Sequence, residues 1–268
     1  AQAAVFADDA DAGTEPYLTG ALLKLHEVIL KTSGRDGGYG ESYGYGNFTM
    51  LSLSKSLPAL ANVFQIDLSA TLDRTYQDMP WASLLEDRLF FYFGDSGGSL
   101  GPMTNWAWLV PKNRDPLLSW LYQYLKKGET LMDAIYEPEK VPGRSPFDRN
   151  PVRVYRDLGT TVFRSGWTKD DFLFVLRTGP FYNHQHLDQG SFWLADRGRV
   201  FISERHGSTY YDDPFYQSHY TQPIAHSTIL IDSNEQSQRV GDPLDEPAGF
   251  HAAGGLLPAS LSPTTAYH

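Results

Sequence analysis

Five of the eight histidines lie between residues 184 and 226, and the first two stand in Asn183-His184-Gln185-His186-Leu187-Asp188. On a β-strand, residues two apart project from one face, so His184 and His186 point the same way. Two adjacent imidazoles begin a metal site, or they divide the work, one holding a metal while the other moves protons. Glu204 and His226 follow, with strand-like sequence between them. The chain has no cysteine, so any zinc must rest on His, Asp or Glu.

The elements that must position these residues change character along the chain. Leu18, Ala21, Leu22, Leu25, Val28 and Ile29 recur at helical spacing, and Ser33-Gly34 ends that run. A second apolar stretch covers residues 51–64, with Pro58 expected to kink or restart it. Further helices are expected over 81–93 and 116–126, joined by Gly-rich loops at 34–46 and 94–101. Near 137–152 the composition shifts to Pro, Arg and Asp, and beyond it the apolar period becomes two. Strands are expected at 152–155, 161–164, 172–176, 192–194, 200–202 and 228–231, with Asp196-Arg197-Gly198 as a hairpin turn. Helices followed by strands predict an α+β, multidomain chain, helical over 1–140 and an antiparallel sheet over 141–268.

Composition narrows the partners. The net charge of -10 argues against nucleic acid as a bulk electrostatic partner, while leaving room for a locally basic cleft. No stretch approaches the roughly 20 apolar residues that span a bilayer, so no membrane partner is expected. Ala1 to Phe6 shows no basic start followed by a hydrophobic run, so no signal peptide is visible. The 16 Tyr and 6 Trp suit carbohydrate stacking as well as an ordinary core.

Two motifs resemble the heparinase II/III-like polysaccharide lyases. One runs from Val162-Phe163-Arg164-Ser165-Gly166-Trp167 through Gly179-Pro180, His184-Gln185-His186-Leu187-Asp188 and Ser191-Phe192 to Ala225-His226-Ser227-Thr228. The other is Asp36-Gly37-Gly38-Tyr39 with Glu41 and Tyr45. The resemblance implies an incomplete α/α toroid followed by an antiparallel β-sandwich segment. It also implies β-elimination on a uronic-acid polysaccharide, leaving a 4,5-unsaturated uronate end. Alginate, heparin or heparan sulfate, hyaluronan and ulvan all fit that class. Export to the periplasm or medium is a further implication. The family carries an Asn-His pair upstream of its tyrosine, whereas only His26 precedes Tyr45 here, and its sheets continue well past the final histidine. The chain is therefore expected to be a fragment of a longer protein.

By resemblance, Tyr45 is the catalytic tyrosine, with His184 as base or charge neutraliser. Asn183, Gln185, Arg164 and Arg177 are candidates for the substrate's acid group. His186, Glu204 and His226 would bind zinc, Glu204 standing where the family has Asp; Asp188, His206 and His219 are reserve ligands. Two imidazoles and a carboxylate suit Zn²⁺ with an open fourth position.

Three other readings compete. A cupin-type metalloenzyme shares the His-x-His strand but places Glu soon after it, where this chain has Asp188-Gln189-Gly190-Ser191. A glycoside hydrolase would use two carboxylates, for which Asp36 and Glu41 are the offered pair. A non-catalytic carbohydrate-binding protein is the third.

Overall fold

The computed structural model describes residues 15–82, 90–97, 103–126, 128–179, 184, 186–204 and 211–230. Helix α1 spans Glu15–Thr32 and lays Leu18, Leu22, Leu25 and Ile29 against the core. Helix α2, Ser42–Phe64, buries Tyr43, Met50, Leu53, Leu57 and Leu60, a stripe at helical spacing. It runs through Pro58 without the restart expected from that residue. Leu57 and Leu60, buried on either side of the proline, hold the turn in register. Gln65 then stops the helix in the left-handed conformation, its N–H reaching Leu60 O.

Four shorter helices follow: α3 (Met79–Ala82), α4 (Leu109–Asn113), α5 (Pro116–Leu125) and α6 (Leu131–Tyr136). Asp115 caps α5 by accepting from Leu117 N at 2.8 Å, with Pro116 in the first turn, where its missing N–H costs nothing. Of the helix expected over 81–93, Trp81 and Ala82 are helical and close α3. Phe90, Phe91 and Phe93 are non-helical and buried, so their apolar run reflects core filling and not helical period. The rest of that stretch, 83–89, lies outside the described residues.

The strands form one antiparallel meander in the order β1 (Arg153–Tyr155), β2 (Thr160–Arg164), β3 (Leu173–Arg177), β4 (Phe192–Asp196) and β5 (Arg199–Ile202). Val162 pairs with Val175 and Val175 with Trp193. All three point inward and join the helical apolar residues in one continuous core. The opposite face carries the row Phe163, Phe174 and Phe192, with successive ring centroids 6.2 and 5.6 Å apart. Between β4 and β5, Arg197 and Gly198 both have positive φ (49° and 70°), the conformation a two-residue hairpin loop demands. The sixth strand, expected at 228–231, is absent over 228–230, and Ile231 lies outside the described residues. There the chain is tied by side chains instead: Ser227 N donates to Glu204 Oε1 and Thr228 Oγ1 to Gln189 O. No helix among the described residues is long and apolar enough to cross a membrane.

Candidate active site at the junction of helices and sheet

Tyr45 lies in the first turn of α2 and not in a Gly-rich loop as expected. Two left-handed glycines, Gly37 and Gly38, and a positive φ at Ser42 turn the chain sharply into that helix. Its ring stacks on the imidazole of His184, centroids 3.8 Å apart and planes within 12°. The two residues singled out for proton chemistry, 139 positions apart in sequence (184 minus 45), thus meet where the helical part joins the sheet.

Asp95 closes this pair from a third segment. Its side chain is buried, and Oδ2 lies 3.3 Å from each of His184 Nδ1, the Tyr211 hydroxyl and the Tyr216 hydroxyl. Tyr211 also stands 2.9 Å from His184 Nδ1. The Asp95 backbone N–H donates to His184 O at 3.1 Å, at a histidine whose φ is 61°. A non-glycine residue in that region persists only when its surroundings hold it there.

The electrostatics follow from this packing. Burial pushes the Tyr45 phenol well above its ordinary value, and Asp95 and Tyr211 add to the effect. Burial, then Asp95, raises Tyr211 to about 12, and the same two causes raise Tyr216. These phenols are proton donors at neutral pH. For His184, burial disfavours the charged ring, but the hydrogen bond and charge of Asp95, with Glu41 further off, outweigh it and raise the pKa. Asp95, Tyr211 and Tyr216 were not singled out from the sequence. The sequence offered only a glycine, Gly94, before it and the aromatic run Phe90 to Phe93 upstream, a pattern too common to single it out.

His186, Glu204 and His226 are drawn together. All three side chains are buried, the two imidazole centroids are 5.1 Å apart, and His226 Nδ1 hydrogen-bonds Glu204 Oε2. Burial opposes charge on His226, but the Glu204 hydrogen bond and the Asp188 and Glu204 charges raise its pKa. Two buried imidazoles and a carboxylate fit zinc in donor type. Among the described residues, however, no three such side chains are set to hold one ion in common; Glu204 here accepts from Ser227 N and pairs with His226.

Other residues fall elsewhere. Arg164 and Arg177, suggested for the substrate's acid group, are buried and serve the protein instead. Arg164 donates to Gly166 O and Trp81 O and lies over the Trp167 ring. Arg177 pairs with Asp188 at 3.3 Å, and Asp188 Oδ2 also accepts from Gly94 N. That occupies Asp188 as a reserve ligand. Both arginines occupy inward positions of their strands, which an alternating pattern alone does not reveal. His219 is exposed in a π-helical turn. Asn183, Gln185 and His206 lie outside the described residues. Asp36 accepts from Arg156 N and so staples the α1–α2 turn to the sheet, while Glu41 precedes the first turn of α2.

Residues 148–247 match the family model described as Heparinase II/III-like, C-terminal. The match takes in the His184 motif, Glu204 and His226, and leaves the α2 tyrosine to be placed by structure. No curated protein matches the sequence. A crystal structure of heparinase III is similar over 82% of this chain and 36% of its own, at 20% identity and a TM-score of 0.63. A mutant of heparan sulfate lyase HepC from Pedobacter heparinus is similar over 80% and 33%, at 21% identity and 0.57. Identity this low speaks for the fold alone. The chain spans about a third of the length of these solved relatives.

Proposed function

We propose that this chain is part of a polysaccharide lyase that cleaves a uronic-acid polysaccharide by β-elimination outside the cytoplasm, with the toroid and sandwich completed as in its family. The observation that supports this best is the Tyr45–His184 stack, which unites a helical residue with a turn residue of the β3–β4 connection, not the strand position expected for His184, around one buried carboxylate. β-Elimination needs a base for the C5 proton and an acid for the departing O4. His184 takes the proton, its basicity raised by Asp95; the C5–H electrons form the C4–C5 double bond; the C4–O4 bond breaks; and Tyr45, a neutral phenol, protonates O4. Charge building on the substrate carboxylate must be countered. Asn183 and Gln185, which flank His184, are the candidates for that task, since Arg164 and Arg177 are committed internally.

Zinc held by His186, Glu204 and His226 would brace the segment that carries His184, a supporting and not a reacting role. Heparan sulfate and related uronate polymers are the leading substrates, because one protein of similar fold is a heparan sulfate lyase. The test is a panel of alginate, heparan sulfate, hyaluronan and ulvan, followed by ultraviolet absorbance of the conjugated product. Saturated products would contradict the lyase class and favour hydrolysis.

A further inference from the structure

The geometry points to Asp95 as a positioning residue that fixes the imidazole of His184 against Tyr45 and gathers Tyr211 and Tyr216 to the same point. No other carboxylate oxygen among the described hydrogen bonds meets three ring side chains from both sides of the site. The grip is double. The carboxylate holds the ring through Nδ1, and the backbone N–H holds the His184 carbonyl at 3.1 Å. Because His184 has φ 61°, it needs such external restraint.

The segment carrying Asp95 is itself anchored. Gly94 N donates to Asp188 Oδ2 at 3.0 Å, and Asp188 pairs with Arg177 on β3. A chain of contacts therefore leads from the sheet, through Asp188 and Gly94, to Asp95 and back to His184. Tyr211 is more than half exposed, its ring edge-on to Tyr216 at 4.9 Å and its hydroxyl on His184 Nδ1 and Asp95. It has no backbone hold on His184 like that of Asp95, so the clamp is assigned to Asp95. The catalytic meaning of this clamp rests on the lyase reading; the clamp itself does not.

The test separates the two. In the wild-type chain a nuclear Overhauser contact between the His184 Hε1 and Tyr45 ring protons is expected, the histidine signal assigned by its loss in His184→Gln. In Asp95→Asn, nearly isosteric but uncharged, that contact should vanish while the other histidine signals stay in place. In Tyr211→Phe, which removes one exposed hydroxyl, it should persist. Persistence in Asp95→Asn, or loss in Tyr211→Phe, overturns the assignment, and so does its absence from the wild type. Should Asp95→Asn not fold, the Tyr211→Phe result still decides between the two clamps. On a polysaccharide the protein turns over, Asp95→Asn should lower kcat by about 10- to 100-fold, the usual cost of losing an outer-shell partner, with KM little changed. Lack of turnover by the wild type would contradict the lyase reading and leave the contact measurement to judge Asp95.

Discussion

Asp78 offers a measurement that does not depend on activity. Its carboxyl is buried beneath α2, where Tyr43 donates to Oδ2 at 3.0 Å while Oδ1 is buried and makes no hydrogen bond. It lines a recess with Tyr39, Tyr43, Phe93, Thr160 and Arg177, and Asp36 and Tyr155 are the other titratable neighbours. Burial raises its pKa from 3.8 to about 7, against the Tyr43 hydrogen bond and with a further push from Asp36. A carboxyl raised in the folded state binds more protons there than in the unfolded chain. Its contribution is therefore fully present below pH 3.8 and is lost as pH rises through about 7. At about 1.4 kcal/mol per pH unit, the loss is roughly 4 kcal/mol at most. Asp78→Asn should abolish this slope. At pH 8.5 the variant should be more stable by roughly 1–3 kcal/mol, once about 1–3 kcal/mol is set aside for an amide N–H left unsatisfied at the Oδ1 position. At pH 5 the order should reverse or vanish. Urea unfolding at the two pH values measures it. An Asp78→Asn chain with the wild-type pH slope would refute the reasoning.

Other perturbations test the packing that supports the site. Arg177→Met leaves Asp188 buried without its cation, with Gly94 N still donating to it, and should destabilise by about 3–5 kcal/mol in urea unfolding; unchanged stability with a raised KM would restore the arginine to substrate binding. Gly179→Ala would place a Cβ 1.8 Å from Leu158 O, and the backbone shift this forces should cost at least about 1–3 kcal/mol of stability. On the zinc reading, protein purified without added metal should carry stoichiometric zinc by elemental analysis, and His226→Ala should remove it and lower the unfolding midpoint. Stoichiometric zinc surviving that change would exclude His226 as a ligand.

Much of the sheet was legible because strands announce themselves locally. Alternation from Val162 to Trp193 and the Asp196-Arg197-Gly198 turn depend on neighbours in sequence. The residues around 90–93 misled for the opposite reason: an aromatic run filling a core looks the same whatever its backbone does. Thr228 to Leu230 read as a strand from its β-branched residues, but side-chain ties to Ser203, Glu204 and Gln189 fix it without a ladder. His184 and Tyr45 could be named from motifs, whereas Asp95 could not. Its value comes from meeting His184, Tyr211 and Tyr216 at separations of 89, 116 and 121 residues. Nothing in a one-dimensional pattern distinguishes it from any acid after a glycine. The two buried arginines illustrate the same limit, since inward strand positions become visible only when the core is assembled.

The central claim is that Tyr45 and His184 act as one acid–base pair. Its most direct test is Tyr45→Phe, assayed for the unsaturated uronate on the longest natural form of the protein. The hydroxyl is the only part removed, and the ring can still stack on His184. The account predicts that kcat falls by about 10²–10⁴-fold, the usual range for losing a positioned proton donor, while KM changes little. Undiminished turnover by Tyr45→Phe would contradict it.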